Sequence, residues 1–237
     1  MHFLWTTLFY NPLYNALVFL ISVVPWHDVG LAVIILTLIV KLILFPLSKK
    51  SIVSQIKMKK LEPELGKIKE NFKDKQEQAK RTMALYKENK INPFSGFFLI
   101  LIQLPIIFAL YFVFFRGLSF DENILYSFIK VPDQINFNFV GLIDMHSKSL
   151  FLAVLAGLTQ FIQTKISMQA AKPESTEKSF KNELMKSMHI QMKYVLPVFI
   201  GFVAYQISAA VALYWVTSNI FTIGQELFVV RKIKKEL

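Results

Sequence analysis

Apolar residues are concentrated in long continuous runs, and charged residues fill the segments between them. Runs long enough to cross a membrane, roughly 20 residues, begin near Leu31, Phe97 and Leu150, and the stretch 194–230 can hold two more. The pattern predicts an all-α integral membrane protein with five membrane-spanning helices. The last two spans would be joined by a tight turn at residues 206–210.

A shorter apolar stretch precedes the first span. It runs from Leu13 to Val24 and is closed by Pro25. This length is typical of a helix in the membrane interface, since a span needs more residues. The first 40 residues hold no Lys or Arg, so the basic start of a secretory signal is missing and we expect a mature or uncleaved form.

The polar segment 49–92 has helical order of its own. Apolar residues recur at roughly helical spacing on both sides of a turn at Asn71 to Lys75. The pattern predicts an antiparallel helical hairpin, and its thin apolar stripe indicates weak packing against the spans. A solvated spacer is the alternative. The apolar positions are Ile52, Ile56, Met58, Leu61, Leu65, Ile68, Phe72, Ala79, Met83 and Tyr86.

Lys and Arg are distributed very unevenly. Thirteen lie in 48–92, five in 169–193 and four from Arg231 onward, whereas the loop 116–149 holds three against four acidic residues. Because positive residues accumulate on the cytoplasmic side, the N-terminus is predicted outside and the C-terminus inside. The net charge of +11 then reflects orientation and attraction to anionic lipids. Specific nucleic-acid binding is disfavoured, because no interleaving of basic and aromatic residues accompanies the charge.

These patterns divide the chain into successive segments. The predicted segments are 1–30 (interfacial amphipathic helix), 31–48 (first span), 49–92 (cytoplasmic hairpin), 93–115 (second span), 116–149 (extracytoplasmic loop), 150–168 (third span), 169–193 (cytoplasmic loop), 194–230 (fourth and fifth spans) and 231–237 (short basic tail).

Lys41 is a charged residue deep inside a predicted span. Lys41 falls in the apolar run from Leu31 to Leu47, where Thr37, four positions earlier, is the other polar residue and shares its helix face. A charge at the bilayer centre costs roughly 2.5–3.5 kcal/mol. The predicted spans hold no Asp or Glu apart from Glu226. A buried ion pair with Lys41 is therefore disfavoured, because few acidic partners are available. A hydrated cavity open to the cytoplasm is favoured, and snorkelling of the side chain to the interface is the alternative.

Polar residues also line other predicted spans. Those of the third span follow helical spacing, those of the fifth lie along one side, and the second contributes Gln103 just before Pro105. Hydrogen bonding between helices is the alternative explanation for each single residue. The stripes comprise Gln160, Gln163, Thr164 and Ser167 in the third span, and Trp215, Asn219, Thr222 and Glu226 in the fifth.

Motifs of common enzymes are missing from the sequence. There is no cysteine, no metalloprotease, nucleophile-elbow or Walker motif, and the four histidines are scattered in predicted loops or interfaces. We therefore predict no enzyme activity, no catalytic residue, no metal site and no cofactor.

Several segments resemble the membrane core of the YidC/Oxa/Alb insertase family. The most specific part is ALYKENKINP leading into LIQLPI, and the others are YNPLYNALVFL, HDVGLAVIILTLIVKLILFPLS and LYWVTSNIFTIGQE. The resemblance covers nearly the whole chain. It implies a five-span insertase core without a large extracytoplasmic domain, acting in the bacterial plasma membrane to insert and help fold newly made membrane proteins, with or without the Sec translocon.

The resemblance also implies a site and partners. A positive residue in the first core span of that family, usually Arg, sits in a hydrophilic groove, and Lys41 occupies its position. Lys keeps the charge without the planar five-donor fork of Arg. The implied partners are nascent membrane proteins, with the Sec translocon, the ribosome and the signal recognition particle pathway as candidates. The implied groove residues are Lys41, Thr37, Gln103, Gln163, Trp215 and Asn219.

Two other functional classes stay open. A transporter or channel would use the polar stripes as a permeation path, although the inverted repeat common in transporters is not found. A structural scaffold would use the polar faces for stability alone.

Overall fold

The structure, a computed structural model, describes residues 5–115, 124–169 and 190–236, which are mostly helical outside the loop 124–149. Two π-helical segments, Thr6–Tyr10 and Gln191–Val195, precede α1 and α7. The predicted all-α membrane fold is confirmed. The helices are α1 Asn11–Val23, α2 Val29–Lys60, α3 Glu62–Asn71, α4 Lys75–Glu88, α5 Ser95–Phe115, α6 Leu150–Gln169, α7 Leu196–Gln206 and α8 Ala209–Glu236, and an antiparallel pair of strands comprises β1 Asn138–Phe139 and β2 Ile143–Asp144.

The segment Thr6–Val23 is long and apolar enough to cross a membrane, as are α2 and Leu150–Ser167. Both of its ends, however, meet the same end of the bundle. Trp5 packs edge-on against Phe112 near the last residue of α5, and a short link joins Val23 to the start of α2. A spanning helix of this length, roughly 27 Å at 1.5 Å per residue, would separate those contacts. The interfacial placement of this segment stays a prediction.

Helix α2 continues well past residue 48, where its span was predicted to end, and reaches Lys60. It stops there because Pro63, in the first turn of α3, has no amide hydrogen to continue the helix. Helices α3 and α4 then form a hairpin, and none of their residues is buried. The end of the bundle that carries them is called the hairpin end, and the opposite one the far end.

Contacts along the hairpin show that its two helices are antiparallel. At the turn, the Arg81 guanidinium lies 4.1 Å from the centre of the Phe72 ring, and Gln78 donates to the carbonyl oxygens of Phe72 and Lys69. At the open end, burial and the nearby Glu62 carboxylate raise the pKa of the Tyr86 phenol.

Loop 124–149 closes the far end. Asp28 caps α2 by accepting from the amide of Leu31 at 3.0 Å, and its second oxygen accepts from the amide of Val140 at 2.9 Å. The first amides of α8 also donate hydrogen bonds to this loop. Ala209 donates to the carbonyl oxygen of Ser147 at 2.8 Å, and Ala210 donates to that of Met145 at 3.2 Å. Amides that would be unsatisfied at two helix starts are therefore paired.

Helix α8 runs through the middle of the bundle and packs against α2 and α6. It follows a sharp turn at Ile207 and Ser208 after α7. Helices α6 and α7 cross where Gly157 faces Gly201, because the missing side chains let the backbones approach closely. Most of the predicted loop 169–193, residues 116–123 of the predicted loop 116–149 and residue 237 of the predicted tail lie outside the described residues.

Candidate functional site

The buried side chains of the bundle change from apolar to polar between the far end and the hairpin end. In α8 every buried residue from Ala209 to Val216 is apolar or aromatic, whereas the next ones toward the hairpin end are Ser218, Asn219, Gln225 and Glu226. In the span part of α2, Leu36 is the last buried apolar residue and Thr37 follows it. A packed apolar layer therefore closes the far end, and a polar interior faces the hairpin end.

Lys41 lies just beyond this apolar layer. Its ammonium Nζ donates to Thr222 Oγ1 at 3.1 Å, and that hydroxyl donates to the carbonyl oxygen of Ser218 at 2.8 Å. No carboxylate of a described residue forms an ion pair with it. The adjacent residues Leu42 and Ile43 are 59% and 70% exposed. Lys41 thus points into the bundle while its neighbours face outward, which favours an inward-facing charge over snorkelling.

A chain of hydrogen bonds joins α6 to α8 at the same level. Gln160 donates to Gln163 at 3.0 Å, Gln163 donates to Ser167 at 3.2 Å, and Ser167 donates to the carboxylate of Glu226 at 2.6 Å. Beside Gln160, at the other end of this chain, Asn219 donates to Thr159 at 3.2 Å. Three sides of the polar interior, on α2, α6 and α8, are therefore connected through α8.

A separate contact joins α5 to α8. Gln103 donates to the hydroxyl of the buried Tyr214, which also hydrogen-bonds to Ser218. Pro105, in the middle of α5, removes one backbone donor close to this contact. Gln103 is thus turned toward α8 and its polar group is paired inside the bundle.

The six predicted groove residues do not form one cluster. Lys41, Gln163 and Asn219 belong to the network on α2, α6 and α8, and Gln103 belongs to the contact on α5 and α8. Thr37 is buried but donates to the carbonyl oxygen of Val33 in its own helix at 2.6 Å, and Trp215 packs against the apolar core. Their roles as substrate-binding residues stay predictions.

The sequence interpretation missed a second polar stripe on α8. Tyr214, Ser218 and Gln225 lie one position before the recognised stripe, and Gln225 reaches the carbonyl oxygen of Phe45 at 3.4 Å. The same helical spacing that revealed the first stripe could have revealed this one. Thr159, which pairs with Asn219, lies four positions before Gln163 and so shares its helix face, although Thr often bonds within its own helix.

The surroundings of Lys41 in the described residues are mainly hydrogen-bonding side chains. No group of three His, Asp or Glu suited to a metal ion occurs among them. Two cavities, of about 390 and 580 Å³, lie at the hairpin end, and Lys41 lines neither. The polar interior therefore holds hydrogen-bonding groups, the ammonium of Lys41 and the carboxylate of Glu226 inside an otherwise apolar bundle.

Comparison with known proteins agrees with this architecture. A protein-family model described as 60Kd inner membrane protein matches residues 19–236. The membrane protein insertase YidC of Fusobacterium nucleatum is 34% identical over 94% of this chain and 97% of its own length. That of Oceanobacillus iheyensis is 33% identical over 95% and 83%, and that of Francisella tularensis subsp. novicida is 33% identical over 85% and 32%.

A solved structure shares the fold. It is described as an active YidC insertase with the first transmembrane domain resolved, and it superposes with a TM-score of 0.56 at 23% identity, over 93% of this chain and 45% of that chain. The apolar helices and the bacterial relatives mark the chain as an integral protein of a bacterial membrane. The chain therefore belongs to the 60Kd inner membrane protein family, the family of the YidC membrane protein insertases.

Proposed function

We propose that this protein is a membrane protein insertase, which helps newly made proteins enter and fold in the plasma membrane. The observation that carries the proposal is the change from an apolar interior at the far end to a polar interior with Lys41 at the hairpin end. Such an interior gives a polar segment a path partway into the membrane and blocks passage through it. The names of the bacterial relatives support the same function.

The hairpin end faces the cytoplasm in this proposal. The basic segment 48–92 and the tail from Arg231 lie at that end, and the described residues on either side of the basic segment 169–193, the end of α6 and the start of the π-helical segment before α7, also lie there. Positive segments are retained on the cytoplasmic side. The N-terminus is then outside and the C-terminus inside. Newly made chains would approach the polar interior from the side on which they are synthesised.

The first step is the entry of a short hydrophilic flank of the substrate. An acidic flank is attracted to the ammonium of Lys41, which forms no ion pair with a described carboxylate. The amides and hydroxyls along α6 and α8 replace part of the water that the flank loses, and so lower the cost of moving polar groups into the bilayer. No nucleotide hydrolysis is needed.

The second step is the movement of the apolar span of the substrate into lipid. The outward faces of α6 and α8 carry large exposed apolar residues next to the polar interior. A substrate helix can slide along this surface, driven by its own burial at about 0.8 kcal/mol per CH₂. The exposed residues are Leu158 and Ile162 on α6, and Ile220, Leu227 and Phe228 on α8.

Partners are assigned by the same proposal. Nascent membrane proteins are the substrates, and the hairpin of α3 and α4, which buries none of its residues, is free to contact them, the ribosome or targeting factors. The Sec translocon would assist with substrates that carry long hydrophilic segments. The protein acts as an insertase and chaperone without catalytic residues or a cofactor.

Reconstitution tests the function against its rivals. Purified protein in proteoliposomes is expected to insert a single-span test protein without other factors and to leave small solutes trapped. Solute flux without insertion would show a transporter or channel. Neither flux nor insertion, with the protein folded and correctly oriented, would show a scaffold.

A further inference from the structure

A basic cavity opens at the hairpin end, away from the network around Lys41. It has a volume of about 580 Å³ and lies between α2, the end of the hairpin and the start of α5. Lys49, Lys50, Lys57 and Lys90 line it, and the remaining lining residues include no Asp or Glu. We call it the lysine cavity.

The charges of the lysine cavity are not neutralised within the described chain. None of its four lysines forms an ion pair with a described carboxylate. The cavity also contains Ser95, the first residue of α5. Because a helix N-terminus carries a partial positive charge, the start of α5 adds to the field of the lysines. The cavity is therefore suited to an anion.

The depth of the cavity matches the headgroup region of a membrane. The apolar run of α2 from Val29 to Leu47 rises roughly 28 Å at 1.5 Å per residue, close to the hydrocarbon thickness of a bilayer. Lys49 and Lys50 come directly after Ser48, just beyond this apolar run. Ser95 is the first residue of α5, where the chain re-enters the membrane. Two independent membrane boundaries thus coincide at this cavity.

Lys90 occupies a conformation that normally requires glycine. Its φ is +53°, and it closes α4 in a Schellman motif in which Ile91 donates to the carbonyl oxygen of Tyr86 at 2.8 Å and Lys90 donates to that of Lys87 at 3.0 Å. Gly is the usual residue at this position because it has no Cβ. A Lys held there despite the strain indicates that its side chain has a role in the cavity.

An apolar surface continues from the cavity toward the membrane. Ile43, Pro46, Lys50, Val53 and Lys57 follow steps of three and four residues and so share one face of α2. Ile43 is 70% exposed, and Pro46 is also exposed. An acyl chain can lie on this surface while its headgroup occupies the cavity. A free phosphate ion has no acyl chain and so gains nothing from the apolar surface.

We infer that the lysine cavity binds the phosphate headgroup of an anionic phospholipid from the cytoplasmic leaflet, with the acyl chains along the Ile43 face of α2. The site lies on the opposite side of α2 from the Lys41 contact with α8. The lipid would fix the level of α2 and of the hairpin at the membrane surface. The choice of leaflet rests on the proposed cytoplasmic orientation of the hairpin end, but lipid binding itself does not depend on the insertase function.

Binding of tail-labelled phosphatidylglycerol to the full chain in detergent micelles tests the site, with tail-labelled phosphatidylcholine as the uncharged comparison. The variant Lys50→Gln/Lys57→Gln/Lys90→Gln is expected to bind phosphatidylglycerol roughly 10-fold more weakly or worse. The control Lys67→Gln/Lys73→Gln/Lys80→Gln removes the same charge from hairpin positions that line neither cavity, and it should change binding less than about twofold. Equal losses in both variants, or no loss in the cavity variant, would overturn the inference.

Competition separates the possible sources of phosphate. Inorganic phosphate and the deacylated headgroup, glycerophosphoglycerol, are expected to displace the labelled lipid only at concentrations roughly 100-fold above those of unlabelled phosphatidylglycerol. Displacement by inorganic phosphate at equal concentration would make this a free-phosphate site and contradict the lipid assignment. The single variant Lys90→Gly guards against misfolding, since it should weaken binding although it relieves backbone strain.

Discussion

The ammonium of Lys41 on α2 and the hydroxyl of Thr222 on α8 are 3.1 Å apart, at the level where the buried residues of the bundle change from apolar to polar. The contact satisfies one of the three ammonium donors with a neutral acceptor. It holds the charge inside the bundle without cancelling it. A positive site of this kind remains available to an acidic segment that enters from the hairpin end.

The contact between Gln103 and Tyr214 predicts a measurable coupling between α5 and α8. Tyr214→Phe leaves the Gln103 amide without its acceptor and should lower the free energy of unfolding by about 1–3 kcal/mol. Adding Gln103→Leu should recover part of that loss, because both polar groups are then removed. Unfolding in mixed micelles across the double-mutant cycle measures the coupling. Strictly additive single effects would show that the hydrogen bond is absent.

Gly30 predicts a steric requirement where the far-end loop meets α2. A Cβ at this position would lie 2.3 Å from Cδ2 of Phe139, so Gly30→Ala should lower the free energy of unfolding by about 1–3 kcal/mol through overpacking. In a Phe139→Ala background the same change should cost less, because the ring atoms are gone. Gly224→Ala is the control, since apart from its two chain neighbours and its own helix backbone no atom lies within 4 Å of its added Cβ. That substitution should raise helix stability by roughly 0.5–1 kcal/mol.

Lys90 predicts opposite effects on stability and on lipid binding. Lys90→Gly relieves the left-handed backbone at φ +53° and should stabilise the end of α4 by about 0.5–1 kcal/mol, while it weakens binding of phosphatidylglycerol. Amide hydrogen exchange of residues 85–91 reports the first effect. Lys90→Gln removes the charge and keeps the strain, so it should lose binding with unchanged exchange. Loss of stability in Lys90→Gly would contradict the strained conformation.

Asp144 predicts a pH dependence at the far end. The hydroxyl of Ser147 and the amide of His146 both donate to its carboxylate, and these hydrogen bonds hold its pKa below the ordinary 3.8. Because the folded form has the lower pKa, the stabilisation is complete above that ordinary value and is lost as the pH falls through the lowered value. The amides of Ala209 and Ala210, which donate to this loop, should then exchange faster. In Asp144→Asn their exchange should not change with pH, after correction for intrinsic rates.

Much of the fold could be predicted from the sequence because long apolar runs and charge asymmetry are strong signals. The turn between α3 and α4 at residues 72–74 fell inside the predicted segment Asn71 to Lys75. The boundary between α2 and α3 at Leu61 was not predicted from the sequence. The apolar spacing continues through it, and only Pro63 interrupts the backbone hydrogen bonds. The length of α2 was likewise hidden, since a helix can leave the membrane without any change of conformation.

The candidate site was less predictable than the fold. Helical spacing identified which residues share a face of α8, but not which helix they meet. The pairing of Asn219 with Thr159, and of Gln103 with Tyr214, depends on how helices far apart in the sequence pack. Helical spacing also did not predict the partner of Thr37. Its hydroxyl bonds within its own helix although it shares a face with Lys41.

Rescue of cells depleted of their own insertase tests the role of the positive charge. Lys41→Arg should support growth and insertion of an acidic-flanked test protein like the wild type, whereas Lys41→Ala and Lys41→Glu should fail at equal protein levels, with Glu the more severe because it repels acidic flanks. Thr222→Val is the matched control, since it removes the hydrogen-bond acceptor of Lys41 and keeps the charge, and it should rescue. Rescue by both Ala and Glu at the wild-type level would contradict an electrostatic role for Lys41 in insertion.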